Sequence, residues 1–259
     1  MYLFYILRSL IGRLTHVIFF LIGEGGSGKD TLLNKVLEYY ENEAKDGGKG
    51  NEPKIKRLIT YTTRPMREEE QSGVEYHFVD KKTFWKMRFM RRVIEYREYK
   101  VATGDTWYYF TANDGQIKPM TDLIAVGPLA QYHNLNNRLK TPVIPIYLKV
   151  SEENRRKRLY ERESKQDNPN YEEVERRLKA DREDFKDIEK IPGLVVIDNN
   201  GNNIKSTLYH LTNTINNILD SYYMLKADVL GIKKVDSQTV TEFKVDDNNK
   251  DITNDSNWK

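Results

Sequence analysis

The segment FFLIGEGGSGKDTLL, residues 19 to 33, constrains this chain more than any other. An apolar run enters a cluster of glycines, reaches Gly28-Lys29 and leaves into a helical pattern. Gly23-Glu24-Gly25-Gly26-Ser27-Gly28-Lys29 fits G-x-x-x-x-G-K, after a predicted strand and before a predicted helix, the context in which such a match carries weight. Glycines let backbone N–H groups curl around phosphate oxygens without Cβ clashes. The helix start adds a favourable dipole, and Lys29 offers a charge to the outer phosphates. At the next position, where a hydroxyl usually meets Mg²⁺, the chain carries Asp30. A carboxylate is a hard oxygen ligand and can hold that ion directly or through water. Alternatively, Asp30 favours the positive end of the helix and Thr31 takes over the hydroxyl's task. The sequence leaves both readings open.

Short apolar runs recur along the chain: VIFFLI, IKRLITYT, DLIAVG, VIPIYLKV and GLVVID. Such runs suit strands buried on both faces. Amphipathic patterns predict helices over residues 29–44, 151–164, 171–190 and 204–224, and the alternation implies an α/β fold around a mostly parallel sheet. From Tyr76 to Thr111 the alternation breaks. Strand-like YHFV, VIEYREYKVA and WYYFT flank one short helix, KKTFWKM, which reads as a β-rich insertion. KDGGKGNEPK (45–54) reads as a mobile connector, and the composition after about residue 226 is that of a disordered tail.

The 259 residues, 38% hydrophobic, suffice for one sizeable core. The absence of cysteine excludes disulfides and thiolate zinc sites and suits a reducing compartment, so a cytoplasmic setting is expected. A formal charge of +3, from 42 basic and 39 acidic residues, gives no argument for nucleic acid as a partner; the basic KMRFMRR cluster reads as a solvated face. The apolar N-terminus is interrupted by Arg8, Arg13 and His16. It offers no membrane span of roughly 20 residues, so no membrane partner is expected. Residues 1–14 stay open between an extra helix, a peripheral anchor and an upstream start codon.

The second informative stretch is TYTTRPMREEEQSGVEYHFVDKKTFW, residues 60–85. With Thr60, TTRPMR, Gly73, YHF, Glu95 and YYFT, and with the glycine loop, the chain resembles the guanylate kinase family over roughly residues 17–198. Those enzymes move a phosphoryl group from ATP to GMP. The resemblance implies a P-loop NTPase three-layer fold with a parallel sheet, a small β-rich nucleoside-monophosphate-binding insertion and a helical lid. It divides the chain into an N-terminal extension (1–16), a kinase-like domain (17–224, with the insertion about 60–113 and the lid about 151–180) and a tail (225–259).

By the same resemblance, Gly23 to Thr31 contact ATP, with Mg²⁺ as cofactor and Asp30 as its candidate ligand. Arg64 and Arg67 match the arginines that grip the GMP phosphate, a task suited to guanidinium forks. Tyr76 and Tyr109 match tyrosines whose hydroxyls donate to that phosphate. Glu95 matches the carboxylate that reads guanine, accepting from N1–H and the 2-amino group together. Thr60 and Thr111 complete base recognition. Arg158, Arg162 and Arg177 resemble the lid arginines that neutralise charge during transfer, and Asp181 is a candidate to orient one of them. Arg156, Lys157 and Arg176 read as members of helix ion pairs at i,i+4 spacing.

The chain departs from the family's pattern in several places. Ala125 and Gly127 stand where the family carries strand-end aspartates, a loss that Asp30 could offset beside Mg²⁺. Phe110 stands where the family has glycine, and the segments Glu95–Tyr109 and Arg162–Arg177 are longer than usual. ATP and GMP or dGMP are thus the expected substrates of a monomer or dimer. A kinase for another phosphorylated acceptor, such as a ribose bisphosphate, and a non-catalytic binding module are the alternatives.

Overall fold

The computed structural model describes residues 16–47, 52–101, 104–118, 121–201 and 203–230. The expectations for residues 1–15 and for the tail from 231 lie outside these, as do positions 48–51 of the expected connector. The chain enters through β1 (Ile18–Ile22), in which every residue is buried. The loop follows, then α1 (Lys29–Asp46), β2 (Ile55–Arg57) and β3 (Thr60–Thr62). Next come β4 (Tyr76–Phe78), α2 (Lys81–Phe89), β5 (Val93–Lys100), β6 (Thr106–Ala112), β7 (Asp122–Val126) and α3 (Leu129–Arg138). The chain continues with β8 (Val143–Lys149), α4 (Glu152–Glu163), α5 (Tyr171–Phe185), a 3₁₀ turn (Ile188–Lys190), β9 (Val195–Asp198) and α6 (Ile204–Leu230).

The main sheet has the order β2-β7-β1-β8-β9, and each of its pairings is parallel. Strand alternation makes it a three-layer unit. Phe19 and Leu21 point toward α1 and α6, joining Leu33, Val36, Leu211, Ile215 and Leu219. Ile18, Phe20 and Ile22 point the other way, onto Tyr132 and Leu135 of α3. A strand covered on both faces has no polar positions, which is why β1 reads as an unbroken apolar run. Burying a large aliphatic or aromatic side chain there contributes about 1.5–3 kcal/mol each, and the glycine loop is thereby anchored to a fully buried strand.

The run IKRLITYT, read above as one strand, is two. Ile55–Arg57 pairs with β7 in the main sheet, whereas Thr60–Thr62 pairs with β4 and β6 in a second sheet of order β4-β3-β6-β5. The switch falls at Leu58 and Ile59. The N–H of Leu58 still donates to Ile124 O at 2.9 Å. Ile59 instead exchanges both backbone hydrogen bonds with the side-chain amide of Gln116, each at 2.9 Å. An amide that mimics a strand edge lets the chain leave one sheet for another without orphaning a peptide group.

Helix α3 was not among the predicted helices; its asparagine-rich sequence, LAQYHNLNNR, has weak propensity, and burial of Gln131, Tyr132 and Leu135 against the sheet forms it. Helix α5 stops at Phe185 rather than continuing to 190, the remainder being the 3₁₀ turn. Helix α6 runs on to Leu230, past the expected start of the tail. His16, the last residue of the expected extension, is buried, with Nε2 3.0 Å from Thr141 Oγ1.

Candidate active site

Helix α1 begins without a side-chain cap: its N-cap is Gly28, in the left-handed region at φ 85°. Helices α2, α4 and α5, by contrast, have side-chain caps. Asp80, Ser151 and Asn170 each accept a backbone N–H at the start of their helices. The first turn of α1 is thus left with N–H groups for a ligand to satisfy. Gly26 also has positive φ (79°), and a Cβ there would come within 2.9 Å of the carbonyl oxygen of Arg155, so α4 and the loop touch backbone to backbone.

Lys29 Nζ donates to Gly23 O at 2.7 Å and Glu24 O at 3.0 Å. Burial pulls its pKa down, opposed first by the charge of Asp30. The loop is braced from below. Glu24 accepts from the Tyr147 hydroxyl at 3.0 Å and faces Arg155 at 3.8 Å. Asn199 Nδ2 donates to Ser27 O at 2.8 Å. Asp181 Oδ2 accepts the N–H of Gly25 at 2.8 Å and faces Arg155 Nη1 at 3.4 Å. Asp181 therefore orients Arg155 and the loop rather than one of the expected arginines.

Of those three, Arg158 donates to Gly26 O (3.3 Å) and Asn199 O (2.9 Å). Arg177 pairs with Glu173 one turn back at 2.8 Å, and Arg162 is exposed. Arg156 pairs with Glu152 and Glu175, and Arg176 with Glu173.

The second sheet gathers the other candidates. Thr60, Arg64, Arg67, Tyr76 and Tyr109 line one cleft of about 340 Å³. Arg64 lies 6% exposed, with both terminal nitrogens on Glu70 at 2.9 and 2.7 Å and its guanidinium 5.4 Å from the Phe78 ring centre. The Arg64 pairing holds the Glu70 carboxyl below its ordinary range. Burial pushes the Tyr76 hydroxyl up, so it stays a donor. Glu95 and Thr111 are fully buried, joined by a Thr111 Oγ1 to Glu95 Oε1 hydrogen bond of 2.7 Å, and Glu95 Oε2 lies 3.3 Å from Arg97 Nε.

A larger cleft of about 630 Å³ lies over the loop, lined by Gly23, Gly25, Lys29 and Asp30, among others. Asp30, Tyr76 and Val126 line both clefts, whereas Thr31 is exposed and lines neither of them. Three participants escaped the sequence reading. Arg155 was hidden inside the RRKR run, although it and Leu159 share a buried helix face. Glu70 sat in the acidic run EEE, and Asn199 followed the last strand without any motif.

The guanylate kinase family matches residues 15–218. The guanylate kinase of Neisseria gonorrhoeae is 32% identical over 98 residues, 38% of this chain and 40% of that protein. The guanylate kinase of Cupriavidus metallidurans is 29% identical over 170 residues, 63% and 67% of the two chains. The first of these alignments spans well under half of the relative's length. The crystal structure of guanylate kinase from Anaplasma phagocytophilum superimposes with a TM-score of 0.55 at 21% identity, over 79% of this chain and 86% of that one, a likeness of fold. With a match across most of its length, and a glycine loop on the central strand of a parallel sheet, the chain belongs to the guanylate kinase family.

Proposed function

We propose that the protein transfers the γ-phosphoryl group of ATP to GMP or dGMP, giving ADP and the nucleoside diphosphate. The observation that carries this reading is the junction of the two clefts. One is floored by the glycine loop and Lys29, the other is walled by Arg64, Arg67, Tyr76 and Tyr109, and they meet at Asp30 and Tyr76. An acceptor phosphate held by the arginines can approach a γ-phosphate on the loop from the side opposite its leaving group. The acceptor oxygen forms the new bond to phosphorus as the bond to the bridging oxygen of ADP breaks. Such a reaction needs mainly positioning and neutralised charge. Lys29, partly stripped of water, supplies charge where the dielectric is low.

Glu95 supports a guanine acceptor. It is a fully buried carboxylate fixed by Thr111, able to accept two parallel N–H groups that adenine and a ribose bisphosphate do not present. Asp30 is the residue that would hold Mg²⁺. Its side chain reaches the cleft junction, and an ion carried in by nucleotide phosphates requires only one or two protein carboxylates. Bound there, the ion would neutralise charge on the transferring group.

A coupled assay with ATP, Mg²⁺ and a panel of GMP, dGMP, AMP, UMP and ribose 1,5-bisphosphate tests the proposal. Turnover led by GMP or dGMP is expected. Turnover led by the sugar bisphosphate would reassign the acceptor. Nucleotide binding with no turnover would favour a binding module, in line with the missing acids at Ala125 and Gly127.

A further inference from the structure

We propose that Gln131 is a specificity-determining residue that positions the base-reading carboxylate and fills the place of the acid absent at Gly127; the inference rests on the acceptor assignment above. Gly127 follows the end of β7, and a Cβ built on it would lie 2.1 Å from Gln131 Oε1 and 3.0 Å from Gln131 Cδ. A side chain at 127 and the present Gln131 amide cannot coexist. The amide thus occupies the volume into which a strand-end carboxylate would project.

Gln131 is polar yet only 2% exposed, on the first turns of α3. Its Nε2 lies 3.4 Å from Thr111 Oγ1, and Thr111 Oγ1 lies 2.7 Å from Glu95 Oε1. Hydrogen count fixes the direction. The amide nitrogen can only donate, so the Thr111 oxygen accepts from it and spends its single hydrogen on Glu95. A one-way row of donors, all buried, leads from the main-sheet layer into the insertion and ends on the carboxylate. Arg138 Nη1, donating to Ile94 O at 2.7 Å, ties the same helix to β5 one residue before Glu95, so α3 holds both the strand and the side chain.

The amide differs from an ionised acid in what it offers Thr111: it donates, whereas a carboxylate only accepts. A donor at 131 leaves the Thr111 hydrogen committed to Glu95. Gln131 thereby acts through Thr111 and Glu95 on the choice of base, not on the phosphates.

Two variants test this, read by kcat and KM for GMP and AMP and by Tm. Gln131→Met keeps the length but removes the donor; it should raise KM for GMP by about two- to tenfold, leave kcat and the use of AMP near the parent values, and so narrow the GMP/AMP ratio. Gln131→Glu, which turns the donor into an acceptor, should narrow the GMP/AMP ratio at least as far. A merely structural role would lower Tm and depress both acceptors equally. A parent that prefers GMP, with variants whose GMP/AMP ratio matches it, would overturn this inference alone. A parent without a guanine preference would overturn the acceptor assignment and this inference together.

Discussion

Asp181 Oδ2 accepts the backbone N–H of Gly25 at 2.8 Å, placing a carboxylate from α5 on the phosphate loop across 156 positions of sequence. A negatively charged oxygen at that N–H stands where a phosphate oxygen is expected to bind, and it also faces the buried Arg155. The two roles oppose each other. Asp181→Asn removes charge near the incoming nucleotide while weakening the support of a buried cation. It should lower Tm, with a stability loss of about 1–3 kcal/mol, and at the same time tighten ATP binding several-fold by calorimetry. Weaker ATP binding would show that Asp181 organises the loop rather than competing for it.

Lys29→Ala should reduce kcat by about a hundredfold or more, since a preorganised charge at the transferring group is lost. The side chain's hydrogen bonds go to two loop carbonyls and, at 3.4 Å, the Ser27 hydroxyl, made by an ammonium that burial disfavours, so Tm should move little. Turnover at the parent rate would remove the phosphate loop from the mechanism.

Asp30 lies at the junction of the clefts, with no acid at positions 125 or 127 to share its task. Asp30→Asn should raise the Mg²⁺ concentration for half-maximal activity by about tenfold, the order expected when a charge-assisted contact is lost. An unchanged Mg²⁺ titration would reduce Asp30 to a partner of the helix dipole.

The α4–α5 pair carries its own acid sensitivity. Arg182 holds the Glu152 carboxyl down at about 2, and Arg176 and Arg177 do the same for Glu173, against an ordinary 4.5. Groups depressed in the folded state stabilise it fully above the unfolded value and lose that contribution as pH falls through the folded value. Local protease resistance of residues 152–185 should therefore decline between pH 4.5 and about 2. Glu152→Gln should start from a lower resistance at neutral pH and show less of that decline. Exposure keeps the effect small.

The loop, the parallel sheet and the second sheet were legible because their residues carry local rules: glycines where φ is positive, apolar runs where both faces are covered. Helix α3 was not, because Tyr132 and Leu135 form it by burial against a sheet no local window contains. The split at Leu58 and Ile59 depends on Gln116, 57 residues away. At the site, Arg64, Tyr76, Tyr109 and Glu95 followed from motifs; the first three line one cleft, and Glu95 is buried on Thr111. Arg155, Glu70, Asn199 and Gln131 act by contacts between distant segments, and no spacing announces them. The arginines Arg162 and Arg177 were read from a pattern whose charge could equally serve the helix surface, and Arg177 is paired there with Glu173.

The central claim is that a buried carboxylate reads guanine while the arginines hold phosphate. The direct measurement is kcat/KM for GMP and AMP in the parent, Glu95→Gln and Arg64→Ala, with ATP binding followed in each. Glu95→Gln keeps the shape and removes the charge, and should cost about ten- to a hundredfold with GMP, the range for a lost hydrogen bond to a charged group. It should leave AMP use and ATP affinity almost unchanged. Arg64→Ala should depress both acceptors alike. A Glu95→Gln variant that keeps the full preference for GMP, or a parent that favours AMP, is the result with which the claim cannot stand.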